Sequence, residues 1–153
     1  MRRWQGKYVI GLTGNIATGK SVVRKMLEHL GAYGIDADAL AHRAMAKGAP
    51  GYTLVLKAFG DWILDEEGQI DRGRMAKIAF SDPDALQKLE TIVHPLVAHA
   101  VDLLIRRAKQ SVVVIEAIKL LASDLASGSD TIWVVDSTAE LQIARLMHQR
   151  HMS

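Results

Sequence analysis

A glycine-rich turn between an apolar run and a helical stretch fixes most of what this chain can become. Residues Gly14-Asn15-Ile16-Ala17-Thr18-Gly19-Lys20-Ser21 satisfy G-x-x-x-x-G-K-[ST] at every fixed position. Tyr8-Val9-Ile10-Gly11-Leu12-Thr13 ahead of it reads as a buried strand. Ser21 to Leu30 behind it reads as a helix with Val22, Val23, Met26, Leu27 and Leu30 on one face, stopped by Gly31. A phosphate-binding loop requires this strand-before, helix-after context. Glycines let the backbone curl so that successive N–H groups point inward, at a helix end already carrying partial positive charge. Lys20 is then expected to reach the β- and γ-phosphates of a nucleotide and the Ser21 hydroxyl to sit on Mg²⁺. A chance glycine turn beside a surface lysine is the alternative, and the flanking elements count against it.

The rest of the chain alternates in the same way. Tyr33-Gly34-Ile35-Asp36 reads as a second strand leading into an alanine-rich helix to about Lys47, and Gly48-Ala49-Pro50-Gly51 as a turn. Between Tyr52 and Gln110 helices dominate, with breaks at Gly60, Gly68, Asp82-Pro83 and His94-Pro95. Strand signal returns in Ser111-Val112-Val113-Val114-Ile115-Glu116 and in Thr131-Ile132-Trp133-Val134-Val135-Asp136. Both runs are apolar on both faces, as central parallel strands are. The order β-α-β-α, helical insertion, β-α-β-α predicts an α/β fold: a parallel sheet flanked by helices in one domain over 1–153. Its core is expected at about 1–50 and 111–137, a helical insertion at about 51–110, and the start of a lid at about 138–153. The last helix reaches Ser153 without a cap or closing strand, so the C-terminal part is expected to be truncated.

Composition narrows the function. Of 153 residues 49% are hydrophobic and 24% charged, a globular balance, and the formal charge is only +2. Near-neutral charge and few, scattered aromatic residues argue against a nucleic-acid partner. No apolar run is long enough for a membrane span, and the absence of cysteine fits a reducing, cytoplasmic setting.

Phosphoryl transfer also needs carboxylates, one supporting the metal and another accepting the acceptor's proton. In open parallel sheets these lie at the carboxyl ends of strands. Asp36 and Asp38, Glu116 and Asp136 hold such positions. Glu116 and Asp136 both end four-residue apolar runs, and order alone does not choose between them. Asp136, ahead of Ser137-Thr138, reads better as a helix N-cap or a solvated loop residue. The six histidines lack metal-ligand spacing. Arg106-Arg107 suits a solvated helix end, whereas Arg145 and Arg150 follow the last strand, where phosphate-loop kinases carry lid arginines.

These segments together resemble the dephospho-CoA kinase family. The resemblance rests on Ile10 to Gly14 leading into the loop, Ile35-Asp36-Ala37-Asp38-Ala39-Leu40-Ala41-His42, Gly68-Gln69-Ile70-Asp71-Arg72, Phe80-Ser81-Asp82-Pro83, and Leu89-Glu90-Thr91-Ile92-Val93-His94-Pro95-Leu96. Val134-Val135-Asp136 with Gln142 and Arg145-Leu146-Met147 extends it. It implies a P-loop NTPase-type fold and transfer of the ATP γ-phosphate to the ribose 3′-hydroxyl of dephospho-CoA, with Mg²⁺. It makes Lys20 and the loop amides the ATP site, Ser21 and Glu116 the metal site, and Asp38 the base facing the acceptor. Thr13 is placed beside the phosphates, His94-Pro95 in the wall of an acceptor-binding insertion, and a lid arginine at Gln149 or Arg150. The family continues beyond Ser153 and carries more glycine in the loop. Many members have aspartate followed by P-L-L where this chain has Glu116-Ala117-Ile118-Lys119-Leu120-Leu121. Nothing in the sequence assigns a role to Lys119. A nucleoside or nucleoside-monophosphate kinase shares loop, insertion and lid, and an inactive nucleotide-binding fragment is the reading if lid and adenine wall are missing.

Overall fold

A computed structural model describes residues 2–120 and 123–151, with side chains through Gln149. Four strands, β1 (Tyr8–Thr13), β2 (Tyr33–Asp36), β3 (Val112–Glu116) and β4 (Thr131–Val134), form a parallel sheet in the order β2-β3-β1-β4. The helices are α1 (Lys20–His29), α2 (Ala37–Ala44), α3 (Pro50–Phe59), α4 (Arg72–Ser81), α5 (Pro83–Arg107), α6 (Asp124–Gly128) and α7 (Ala139–His151).

Contacts divide the chain into two compact units, Met1–Asp38 with Val101–Ser153, and Ala39–Ala100. The first contains the sheet. Val9, Ile10, Leu12, Val113, Val114 and Ile115 are buried there, on the two central strands β1 and β3. Register pairs Leu12 with Glu116, Asp36 with Glu116, and Thr13 with Val134. The carboxyl ends of all four strands therefore share one edge. β1 leads by way of α1 to β2 on one side, while β4 lies on its other side, the kind of reversal where open α/β sheets bind ligands.

One expectation changes in this unit. The apolar face predicted for α1 splits: Val23 and Leu27 pack on the core of Ile10, Leu12 and Val114, while Val22, Met26 and Leu30 are exposed. Positions 23 and 27 stack one turn apart, and 22, 26 and 30 form a neighbouring row that the sheet does not reach. Among the described strands β4 pairs with β1 alone, and Ile132, Trp133 and Val134 are exposed, although its apolar run reads as that of a central strand.

The basic N-terminal segment is anchored in the same unit. Trp4 is only 4% exposed, and its Nε1 donates to Asp102 Oδ1 at 2.9 Å. Arg106, 2.7 Å from Asp102, holds that carboxyl below its ordinary value; burial opposes the shift and the Trp4 N–H adds to it. Lys7 Nζ donates to the carbonyls of Ala108 and Gln110, just beyond α5. Trp4→Phe keeps the ring but loses the hydrogen bond, so chemical denaturation is expected to show a loss of about 1 kcal/mol. Unchanged stability would mean the indole N–H is equally well satisfied by water.

The helical unit is built around Val55, Ile63 and Met75, with Phe59, Ile70, Ile78 and Leu89 packed against them. Asp71 caps α4 by accepting from Arg74 N at 3.0 Å. Pro83 stands at the first position of α5, and Asp82 Oδ1 accepts from Asp84 N. Pro50 likewise opens α3 and is not part of a free turn. Gly51 lies inside that helix, because a Cβ there would run into the Ala44 carbonyl and Leu96. The break expected at His94-Pro95 is absent: α5 runs on through Pro95. Proline removes one N–H and strains one turn, and within this unit Val93 and Val97 stay buried on either side of it.

Candidate active site

Thr13 ends β1, and the loop after it turns sharply to reach α1. Gly14 and Gly19 have φ of 153° and 99°. A Cβ on Gly14 would collide with the Val135 carbonyl. Ala17, at φ 59°, occupies the left-handed region that side chains avoid. Thr18 Oγ1 donates to Asn15 O at 2.8 Å and closes the turn from within. No side chain caps α1, so its first N–H groups are not satisfied by a side-chain cap, as an anion site at a helix N-terminus requires.

From the start of α7, Gln142 Nε2 donates to Ile16 O at 3.3 Å and Arg145 Nη1 to Ala17 O at 2.9 Å. α7 thus contacts loop carbonyls, and a cavity of about 720 Å³ opens beside them. Thr18, Gly19, Lys20, Ser21, Val135 and Arg145 are among its lining residues. Thr138, and not Asp136, caps α7, with Oγ1 accepting from Leu141 N at 3.3 Å. Asp136 accepts instead from its neighbour Ser137 N. Ala17→Gly is expected to remove about 1 kcal/mol of left-handed strain, raising the melting temperature by a few degrees with nucleotide affinity kept. A lower melting temperature would show that Ala17 packing outweighs its backbone strain.

Beneath the loop, Lys20 is 8% and Glu116 3% exposed. Ser21 Oγ donates to Glu116 Oε1 at 2.7 Å, and Arg24 Nε donates to Glu116 Oε2 at 2.6 Å. Between the two strand-end acids left open by the sequence, Glu116 therefore meets the loop hydroxyl. Asp38 Oδ2 accepts from Ile118 N at 3.1 Å, while Thr13 Oγ1 donates to the carbonyl of the same residue. The two side chains thus grip one residue after β3 from both sides. Burial raises the Asp38 carboxyl above its ordinary value; the Ile118 N–H opposes this, Asp36 and Glu116 add to it, and the Lys20 charge lowers it.

Lys20, Ser21, Thr13, Asp38 and Glu116 consequently lie within one unit, at the loop and the carboxyl edge of the sheet. His94 and Pro95 stand exposed on α5 in the helical unit. The Arg150 side chain lies outside the described residues. Arg24 and Glu28 did not stand out in the sequence. Their signal was the i+3 and i+7 spacing from Ser21, which places them on its side of α1.

The sequence model of the dephospho-CoA kinase family matches residues 8–153. The chain belongs to the dephospho-CoA kinase family. A dephospho-CoA kinase of Geobacter metallireducens is 43% identical over 141 residues, covering 90% of this chain and 70% of that protein. One of Streptomyces avermitilis is 43% identical over 145 residues, covering 94% and 71%. Among solved structures, TT1252 from Thermus thermophilus superposes with a TM-score of 0.81 at 31% identity, covering 96% of this chain and 74% of that one. The dephospho-CoA kinase from Campylobacter jejuni, at 21% identity and a TM-score of 0.54, shares the fold. The match to the family model begins after the first seven residues, so the Trp4 anchor lies outside it.

Proposed function

We propose that this chain phosphorylates the ribose 3′-hydroxyl of dephospho-CoA with ATP, the closing step of coenzyme A synthesis. The observation that carries the reading is geometric: the Asp38 carboxylate, held by the Ile118 N–H, stands in the same unit as an uncapped phosphate loop with Lys20 and Ser21. Family membership supplies the acceptor. The acceptor hydroxyl attacks the γ-phosphorus as its proton passes to an Asp38 oxygen. The new O–P bond forms as the bond to the bridging oxygen breaks, and that oxygen leaves with the electron pair on ADP. Lys20 and the loop N–H groups stabilise the charge on the transferring group.

No cluster of three or more His, Cys, Asp or Glu able to hold a metal exists among the described residues. That fits Mg²⁺, which takes few protein ligands and shares nucleotide phosphates, and the oxygen donors Ser21 and Glu116 suit a hard cation. Ser21 would hold it, supported by Glu116, and the ion would neutralise charge between the β- and γ-phosphates. Thr13 acts on Asp38 through Ile118. His94 and Pro95 belong to the acceptor side, and Arg150 to the lid. No nucleic-acid partner is part of this reading, and the setting is cytoplasmic; no helix among the described residues is long and apolar enough to cross a membrane.

An acceptor panel tests the assignment. ADP release from Mg-ATP is expected to rise at least tenfold over the acceptor-free rate with dephospho-CoA, and not with adenosine or nucleoside monophosphates. A reversed preference would make the chain a nucleoside-monophosphate kinase. ADP binding without turnover on any acceptor would make it a nucleotide-binding fragment.

A further inference from the structure

A phosphate loop needs a serine and a strand-end acid, but it does not require what stands behind that acid here. Arg24 lies one turn after Ser21 on α1, and its side chain is 15% exposed. Its Nε donates to Glu116 Oε2 at 2.6 Å and its Nη1 to Glu28 Oε1 at 2.8 Å. β2 accommodates the outer carboxylate with Gly34, where a Cβ would strike the Glu28 side chain.

From this geometry we infer that Arg24 is a positioning residue for the metal-binding hydroxyl. The inference rests on the reading of Ser21 as a Mg²⁺ ligand. Glutamate carries one more rotatable bond than aspartate, so its carboxylate needs an anchor to point one way. Arg24 holds Oε2, which turns Oε1 to Ser21. The single Ser21 proton is thereby committed to Glu116, and both hydroxyl lone pairs are left as acceptors for a hard cation. Glu28 offsets the guanidinium charge: one cation stands between two carboxylates, so Arg24 orients Glu116 without leaving net positive charge beside the cation.

The test reads nucleotide binding, without an acceptor. ADP affinity is measured calorimetrically in EDTA and in saturating Mg²⁺, and the ratio gives the metal-linked gain. Arg24→Met, which keeps most of the buried stem, is expected to cut that gain about tenfold and to leave the EDTA affinity within about twofold. Arg24→Lys, a point charge without the planar fork, should recover part of the gain. Glu28→Gln, which loosens only the far end, should cost less than Arg24→Met.

An unchanged ratio in Arg24→Met, or affinities falling in parallel with and without metal, would overturn the inference and make the pair structural. Should Arg24→Met fail to fold, an unchanged ratio in both Arg24→Lys and Glu28→Gln overturns it equally, and a reduced ratio in both supports it. A wild-type chain that gains affinity with Mg²⁺ yet phosphorylates no dephospho-CoA would sink the proposed function and leave this inference standing.

Discussion

Lys20→Ala is expected to lower turnover by about 10²–10³-fold or more while the chain stays folded. Lys20 opens α1 directly after Gly19, is largely buried, and carries a charge that acts on Asp38. In the proposed reaction its ammonium meets the γ-phosphoryl charge, in a partly dehydrated site where a positive group counts for more than in water. Losing it removes transition-state stabilisation, and with it one influence that keeps Asp38 ionised. Circular dichroism should match wild type, since the sheet core of Val9, Ile10, Leu12, Val113, Val114 and Ile115 does not include Lys20. Turnover within a few-fold of wild type would remove Lys20 from the phosphate site.

Asp38→Asn is expected to lower kcat by about 10²–10⁴-fold with ADP affinity little changed, because the amide still accepts from Ile118 N but takes no proton. A large loss of ADP binding would instead place Asp38 with the metal. The pH dependence follows from its raised carboxyl. Only the ionised form acts as base, so activity should fall as pH drops through a value above the usual ~3.9 of aspartate.

Stability runs the other way. A folded value above the unfolded one favours the folded state while the group is protonated. That contribution is complete below the unfolded value and lost as pH rises through the folded one. At neutral pH the buried charge is a net cost, so Asp38→Asn should melt no lower than wild type. A lower melting temperature at pH 7 would contradict burial as the cause of the shift.

The loop, β1, β3 and the order of elements were legible because each carries its own local signal: a fixed motif, a β-branched run, a glycine stop. The parallel sheet follows from alternating strands and helices, and the family from motifs spread along the chain. What lies against an element was not legible. The row Val22, Met26, Leu30 looked like core because periodicity reports a helix face and not what lies against it. Pro95 looked like a break, although α5 continues through it. In the site, the choice between Glu116 and Asp136 depended on which strand neighbours β1 beside α1, a fact of topology. Arg24 stayed hidden because its partner Glu116 is 92 positions away in sequence.

The most direct measurement is to incubate the chain with Mg-ATP and dephospho-CoA and locate any new phosphate on the product by mass spectrometry and phosphorus NMR. Coenzyme A, with the phosphate on the ribose 3′-oxygen and formed by the wild-type chain but not by Lys20→Ala, is the predicted result. ADP release that leaves dephospho-CoA unmodified, or phosphate on another atom, would contradict it.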